Sequence, residues 1–489
     1  MDEGNRSPRE RCKAVGLPHS SEEAGERAQA RTPSSEGVQG EKVAAEGHTE
    51  RAWTLEQVYT KLRRLAAKAK QDPNWQFTNL AHMLTEELLG EAFRRLRKDA
   101  SPGIDGVTAT AYEQNLKSNL EELHRRLKEG QYKAQPVRRV YIEKENGKKR
   151  PLGIPALEDK IVQRAVLIIL EPIYESDFLP CSYGFRPRRS THDALDAVFR
   201  AIVLGKVSYV LDADIKGYFD NIVREQLMEF IRTRVKDETI CRYMGKWLHA
   251  GVIEDDALLV TTKGTPQGAV ISPWMANVYL HHVLDLWVEK QIKPLLKGEI
   301  HLIRYADDFI VCFQYHEDAT RFLAVLRQRF QRYGLELSEE KTQLIAFGRF
   351  AAENLRREGK RKPPTFNFLG FTHICATSHR GKFTIHLTTA KNRLKRAMQR
   401  LNEWCRTHRH LKLSDQHATL IRKINGHYQA YGRRTNFASL LRFYRFAART
   451  WRKWLARRSQ RRTMTWARYK VLLRHYQLPQ PRVTQAGIC

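Results

Sequence analysis

Two short segments, far apart in the chain, each set carboxylates inside what otherwise reads as a buried strand. In Tyr209-Val210-Leu211-Asp212-Ala213-Asp214-Ile215 the alternation has period two, so Asp212 and Asp214 share one face while Leu211, Ala213 and Ile215 share the other. Downstream, Ile303-Arg304-Tyr305-Ala306-Asp307-Asp308-Phe309-Ile310-Val311 places two adjacent acids between apolar runs. That is the pattern of a strand–turn–strand hairpin, whose tip lets the acids project while both strands stay buried. Taken singly, each acid pair equally suits a solvated turn or a polar strand end. Side by side, the two segments would bring three carboxylates together, an arrangement that can hold two Mg²⁺ ions about 3.5–4 Å apart, bridging an attacking hydroxyl and a leaving pyrophosphate.

Charge says what the partner is. The 489 residues carry 85 Lys+Arg against 54 Asp+Glu, a net charge of +31. Such an excess predicts a polyanion, nucleic acid above all, because phosphate contacts release counterions. The excess is concentrated: from Arg380 onward there are 27 Lys+Arg and two acids, Glu403 and Asp415. A balanced middle and a basic C-terminal module are implied. Hydrophobic residues make up 42%, enough for a large core and about two to four domains. No run approaches 18 uncharged apolar residues and the first 30 are charged throughout, which excludes a membrane span and a secretory signal. Seven scattered cysteines without a CxxC pair argue against a disulfide scaffold or a cysteine zinc module, and fit a reducing cytoplasm.

Along the chain, residues 1–50 are rich in Gly, Ser, Glu, Arg and Ala and read as a disordered or poorly ordered polar extension. Apolar periodicity begins near Trp53 and predicts helix through Leu80–Leu96, then again over about 110–128, with the turn Ser101-Pro102-Gly103-Ile104-Asp105-Gly106 between. Val137–Ile142 alternates like a strand and enters Glu145-Asn146-Gly147, a hairpin signal. Ser338 is placed as an N-cap for a helix that opens near Lys341. From Phe437, the residues Leu440, Leu441, Tyr444, Ala447, Ala448, Trp451, Trp454 and Leu455 recur at helical steps, the stripe of a bundle core. Arg442, Arg445, Arg449, Arg452 and Lys453 lie on other faces, an arginine-rich surface able to grip phosphates and stack on unpaired bases.

The surroundings of Tyr305-Ala306-Asp307-Asp308 are more specific than the acids alone. Arg150-Pro151-Leu152-Gly153-Ile154-Pro155, Tyr183-Gly184-Phe185-Arg186-Pro187, Gly264-Thr265-Pro266-Gln267-Gly268, Gly334-Leu335-Glu336-Leu337-Ser338-Glu339-Glu340-Lys341 and Phe368-Leu369-Gly370-Phe371 follow in order. Together they resemble the reverse transcriptases encoded by bacterial group II introns, from about Pro102 to Trp466, some three-quarters of the chain. The resemblance implies an α+β right-hand polymerase: fingers and palm built of antiparallel sheet plus helices, then an all-α thumb and maturase domain X. It divides the chain into a helical N-terminal extension and start of the fingers (51–135), fingers and palm (136–372), thumb and domain X (373–475) and a tail (476–489). Leu387–Trp404 would supply the first thumb helix, and Asn425-Gly426-His427-Tyr428 looks like a segment of domain X.

Roles carry over residue by residue. Asp214, Asp307 and Asp308 match the catalytic metal triad, with Asp212 the runner-up ligand. Phe219 matches the aromatic that excludes a 2′-hydroxyl and so favours dNTPs. Lys144 and Arg150 match residues that hold the incoming triphosphate, Gln267 one that lines the nucleotide pocket, and Lys341 a lysine near the triphosphate able to act as general acid. Phe368-Leu369-Gly370 resembles the primer grip, and equally suits plain core. The resemblance implies two Mg²⁺ as cofactor and, as partners, the group II intron RNA, an RNA template with DNA primer, target DNA and dNTPs, in a nucleic-acid-associated, cytoplasmic bacterial protein. The absence of paired Cys motifs after domain X implies no HNH endonuclease, as in compact group IIC-like introns. The leading reading is a polymerase that is also a maturase, acting in splicing and retrohoming. Against it stand a non-enzymatic RNA-binding splicing cofactor and a reverse transcriptase domesticated for defence or repair.

Overall fold

The computed structural model describes residues 55–485 except 144–148, 255–256, 260–263, 266–267, 358, 360–362 and 460–463. The N-terminal helices are α1 (Leu55–Gln71), α2 (Glu86–Arg95), α3 (Ala109–Glu113) and α4 (Leu116–Lys128). The helix expected through Leu80–Leu96 is confined to α2 and a short 3₁₀ turn, Ala81–Met83. The Leu80 and Ala81 amides are instead drawn to the Asp237 carboxylate (2.6 and 2.8 Å), and α2 starts at Thr85, whose hydroxyl accepts from the Leu88 amide. The helix expected over 110–128 is likewise broken, and across the break the Asn119 side chain donates to the Tyr112 carbonyl (3.0 Å).

A hairpin follows, β1 (Val137–Glu143) antiparallel to β2 (Lys149–Ile154), in register from Arg138↔Ile154 to Glu143↔Lys149. The long buried α5 (Leu157–Tyr174) comes after it, and α1 and α2 pack against this helix. Next come α6 (Thr191–Phe199), capped by a reciprocal Ser190–Asp193 box, and β3 (Tyr209–Ala213). After them lie α7 (Tyr218–Asn221), α8 (Arg224–Arg232), α9 (Glu238–His249), β4 (Val252–Glu254) and β5 (Ala257–Leu259). The helix α10 (Ser272–Leu280) runs on through π-helical turns at His281–Asp285 and Val288–Ile292. The expected acid hairpin is β6 (Ile300–Tyr305) and β7 (Asp308–Phe313). It is followed by α11 (His316–Arg332), β8 (Gln343–Ala346), α12 (Ala351–Arg357), β9 (Phe366–Phe368), β10 (Phe371–Thr377) and β11 (Phe383–Thr389). The bundle α13 (Lys391–Thr407), α14 (Leu413–Tyr431), α15 (Phe437–Leu455) and α16 (Trp466–His475) closes the fold.

The central sheet has the order β6-β7-β3-β8, with β3 antiparallel to both β7 and β8. It is buried on both sides. Leu211, Ala213, Phe309 and Val311 enter a core shared with α5 and α8–α11, while Val210, Ile303, Ile310 and Cys312 enter a second core under α6 and the sheet β11-β10-β9. A third core fills the C-terminal bundle.

Three expectations need correction. No helix opens at Lys341: the Thr342 amide returns to the Ser338 carbonyl (2.8 Å) in a single turn, and the alternating Gln343–Ala346 is captured as β8 by the edge of β3. The first helix of the C-terminal module starts at Lys391, not Leu387. For the same reason the module is not all-α from residue 373, since Phe371–Thr377 and Phe383–Thr389 bury alternate residues and pair along their whole length. Among the described residues no helix is long and apolar enough to cross a membrane.

Candidate active site

The register of the central sheet brings the two acid segments together. Asp212 lies opposite Ile310 on β7 and Gln343 on β8, and Asp214 follows one residue past the end of β3. Tyr305 pairs with Asp308 at the head of the β6–β7 hairpin, and Ala306-Asp307 forms its tip. Asp212, Asp214 and Asp308 line one cleft of about 610 Å³, together with Tyr305, Lys341, Leu369 and Arg393. Asp212, Asp214 and Asp308 thus meet in one cleft, while Asp307, at the hairpin tip, is not among its lining residues.

The tip is held from beneath by Arg304, whose guanidinium is completely buried. Its Nε and one terminal nitrogen donate to the Asp285 carboxylate (2.8 and 2.5 Å), and further N–H groups reach Asn277 Oδ1 (2.9 Å), Ser182 Oγ (2.8 Å) and the Ala306 carbonyl (2.9 Å). The last bond fixes Ala306, which takes a left-handed φ of +59° directly before Asp307. Sequence reasoning missed this clamp. Its signal was an arginine in an apolar strand, which burial tolerates only beside a partner acid, and that acid lay in an equally apolar helix.

Electrostatics mark the cleft as one that attracts cations. Loss of solvent, then the neighbouring Asp308 and Asp214, pushes Asp212 up to about 7. Loss of solvent, then Asp307 and Asp214, pushes Asp308 up to about 6, although its side chain still reaches water. Asp307 is also raised, mainly by burial, with Arg150 and Arg304 opposing. Lys341 answers part of this charge, its Nζ lying 2.7 Å from Asp214 Oδ2. Among the described residues no group of three or more His, Cys, Asp or Glu side chains is arranged to hold a metal ion. The donor chemistry still fits one: the carboxylates are hard oxygen ligands suited to Mg²⁺, crowded enough that Asp214 raises Asp212, Asp307 and Asp308.

The remaining predicted site residues fall as follows. Phe219 is buried in α7, and its carbonyl accepts from the Thr265 amide (2.9 Å), so Gly264-Thr265 packs directly on the predicted sugar-discriminating ring's backbone. Gly268 has φ +112°, and a Cβ there would sit 2.6 Å from the Gly153 carbonyl, which ties this turn to the strand carrying Arg150. Arg150 is exposed on β2 and acts electrostatically on Asp307. Lys144 and Gln267 lie outside the described residues. On α15, Arg442, Arg445, Arg449 and Lys453 are exposed. Arg452 is engaged within the protein: it donates to the Met464 carbonyl (2.9 Å) and lies over the Trp466 ring (4.1 Å), so it does not belong with the open basic face. Arg442 and Lys453 join Lys391 and Lys395 along a groove between α13 and α15, floored by Leu394, Met398 and Phe446.

Residues 142–373, which contain the cleft's carboxylates, match the reverse transcriptase (RNA-dependent DNA polymerase) family. Over a longer span the chain is 31% identical, across 377 residues, to the group II intron-encoded protein LtrA of Lactococcus lactis subsp. cremoris, covering 63% of this chain and 62% of that one. Residues 142–373 form a reverse transcriptase domain. The chain is 41% identical over 226 residues to protein YkfC of Escherichia coli (45% of this chain, 59% of YkfC). It also matches nuclear intron maturase 2, mitochondrial, of Arabidopsis thaliana, at 40% over 83 residues (16% of this chain, 11% of the maturase). The chain thus spans less than two thirds of the length of the curated relatives it matches. The reverse transcriptase domain has the α+β architecture expected of it, helices with antiparallel sheets, and a helical region follows it.

Proposed function

We propose that the protein is an RNA-directed DNA polymerase that also binds a group II intron RNA, assisting its splicing and its mobility by target-primed cDNA synthesis. The observation that supports this is the β3–β7 pairing, which brings the strand leading into Asp214 beside the strand that begins at Asp308, both acids lining one cleft with Asp307 at the adjoining turn. On this reading the central sheet is the palm, the β1–β2 hairpin belongs to the fingers, and the α13–α16 bundle serves as thumb and maturase domain.

Asp214, Asp307 and Asp308 would hold Mg²⁺, two ions in all, which when bound neutralises charge on the reacting phosphates. The protein's own part is placement. Arg304 fixes the turn that presents Asp307. Phe219, beneath the turn at Gly264-Thr265, would meet the sugar and select dNTPs. Arg150 would orient the triphosphate as a planar fork, and Lys341, once off Asp214, would give its proton to the departing pyrophosphate. Lys144 and Gln267 are proposed for the same nucleotide site from sequence alone. Arg442, Arg445, Arg449 and Lys453 would bind RNA phosphates, and the relative's printed name supplies the RNA in question.

Primer extension on an RNA template with Mg²⁺ and dNTPs tests this, beside Asp307→Ala and Asp214→Ala. Full-length cDNA from the wild type alone, with RNA binding kept in both variants, is the expected result. More than trace extension by both variants would remove the carboxylates from the chemistry.

A further inference from the structure

Four non-glycine residues of the described backbone have left-handed φ: Phe185 (+55°), Arg188 (+58°), Ala306 (+59°) and Leu369 (+49°). Conformations of this kind persist only where the surroundings impose them, and they concentrate at functional sites. Ala306 is in the carboxylate turn itself, and Leu369 lines the cleft with Asp214 and Asp308. Phe185 and Arg188 share the loop 183–189, which is built onto that same turn. A Cβ on Gly184 would stand 2.4 Å from the Ala306 nitrogen, so this loop approaches as closely as a backbone can. The Tyr183 amide donates to the Arg304 carbonyl (2.8 Å), and the Asn277 side chain donates to the Gly184 carbonyl (2.6 Å). From the other side, buried Arg186 donates to the Glu175 carboxylate (2.9 Å) and to the Leu179 and Ser182 carbonyls (2.8 Å each).

The loop is therefore rigid on both flanks of Phe185, yet Phe185 is 59% exposed. Packing gives no reason for a large aromatic there. Backbone conformation alone would favour glycine, and exposure of the ring is a further penalty. What a fixed, open aromatic ring beside a basic loop does well is stack on a nucleobase, since every base has a π-face. Arg188, exposed and equally strained, stands three residues away with a cation for the adjoining phosphate.

We infer that Phe185 is a stacking platform for a nucleobase of the nucleic acid held over the carboxylate turn, and that the strain at Phe185 serves to present the ring. Phe185 is thus a positioning residue, set by Arg186 and Gly184 and not by a core. This inference rests on the polymerase reading and deepens it. The base belongs to the template or to the primer end, and the chemistry of stacking is the same for both.

The test uses the full-length protein with an RNA template and DNA primer carrying 2-aminopurine, placed in turn at template positions around the primer terminus and at the primer 3′ end, without dNTPs. Wild type and Phe185→Trp are expected to quench the probe at one of these places, which identifies the strand. Phe185→Leu and Phe185→Gly are expected to lose that quenching and to bind primer–template about fivefold more weakly or worse. Phe185→Gly should at the same time keep or raise the Tm, because it releases the backbone strain. Equal quenching and affinity across all four proteins would overturn the inference and leave the polymerase reading standing, provided that the wild type extends primers. A Tm lowered alike in the Leu and Gly variants would make the ring a packing element and overturn it too. Failure of the wild type to bind primer–template would remove both readings.

Discussion

Arg304 offers five N–H groups and meets five acceptors, two on Asp285 and one each on Asn277, Ser182 and Ala306. No other side chain can reproduce that fork, so Arg304→Lys leaves acceptors unmet in a fully buried site. Asp285→Asn leaves the buried guanidinium without its counter-charge. Each substitution should lower stability by about 3–5 kcal/mol, read from urea midpoints, and primer extension should fall with it because the turn carrying Asp307 loses its support. Lys341 presents the opposite case. Its pair with Asp214 is 64% and 32% exposed, so its contribution to folding lies near the roughly 0–1 kcal/mol of surface pairs. Lys341→Met should leave the Tm within about 1 °C of wild type, while kcat falls and the KM for dNTP moves little. A drop in Tm of several degrees would instead make Lys341 a structural residue.

Among the elements, α5 is fastened to the chain before β1 by one buried acid. Asp159, in its first turn, accepts from the Tyr132 hydroxyl and from the Gln135 amide (3.0 Å). Burial nevertheless outweighs these bonds and raises Asp159 to about 6, with Glu158 and Asp105 adding repulsion. A carboxyl raised in the fold stabilises it fully below about pH 4 and loses that contribution as pH rises through 6. The shift is worth about 3 kcal/mol at most. Stability of the wild type should therefore decline relative to Asp159→Asn between pH 4 and 6, and a constant difference across that window would show that the acid is ionised throughout. His427 runs the other way within α14. Burial holds it near 4, so α14 is stable above about pH 6.5 and weakens as acid protonates the unfolded chain first. The elements themselves were legible wherever one period dominated. Tyr209–Ala213 and Asp308–Phe313 alternate cleanly because a sheet buries them, and α15 shows its stripe because one face meets the bundle. Legibility failed where a distant group decided the outcome. Asp237 unwinds the chain before α2, and the edge of β3 makes a strand of Gln343–Ala346 after a turn that resembles a cap. In the site, the acids could be read because they are chemically conspicuous. The Arg304–Asp285 pair could not, since its two halves meet only in space.

At the scale of the molecule, positive charge and the C-terminal bundle coincide, and the bundle is anchored to α6 and β11 by polar bonds. Arg433 pairs with Asp196 on α6, the His192 ring meets the Gln429 carbonyl (2.9 Å), and Asn436 receives the Thr389 amide (2.7 Å). Affinity for structured RNA should fall by about a thousandfold between 50 and 200 mM salt if six or more phosphates are contacted. Replacing Arg442 and Arg445 together by Ala should reduce the slope of log affinity against log salt by about two, whereas Arg452→Ala, which removes an internal contact, should leave the slope alone and lower stability. An unchanged slope in the double variant would place the phosphates on another face. The strand order β6-β7-β3-β8 has one more consequence. Asp212 and Asp308 lie in the two interior strands β3 and β7, and Asp214 and Asp307 directly adjoin the ends of those strands. In native-state hydrogen exchange, the amides of Val210, Leu211, Ile310 and Val311 should open only with global unfolding, at the slowest rates in the chain. No partial opening would then scatter the carboxylates and leave the rest intact, so any molecule that remains folded retains its reactive centre, and loss of activity on heating would trace loss of the fold itself.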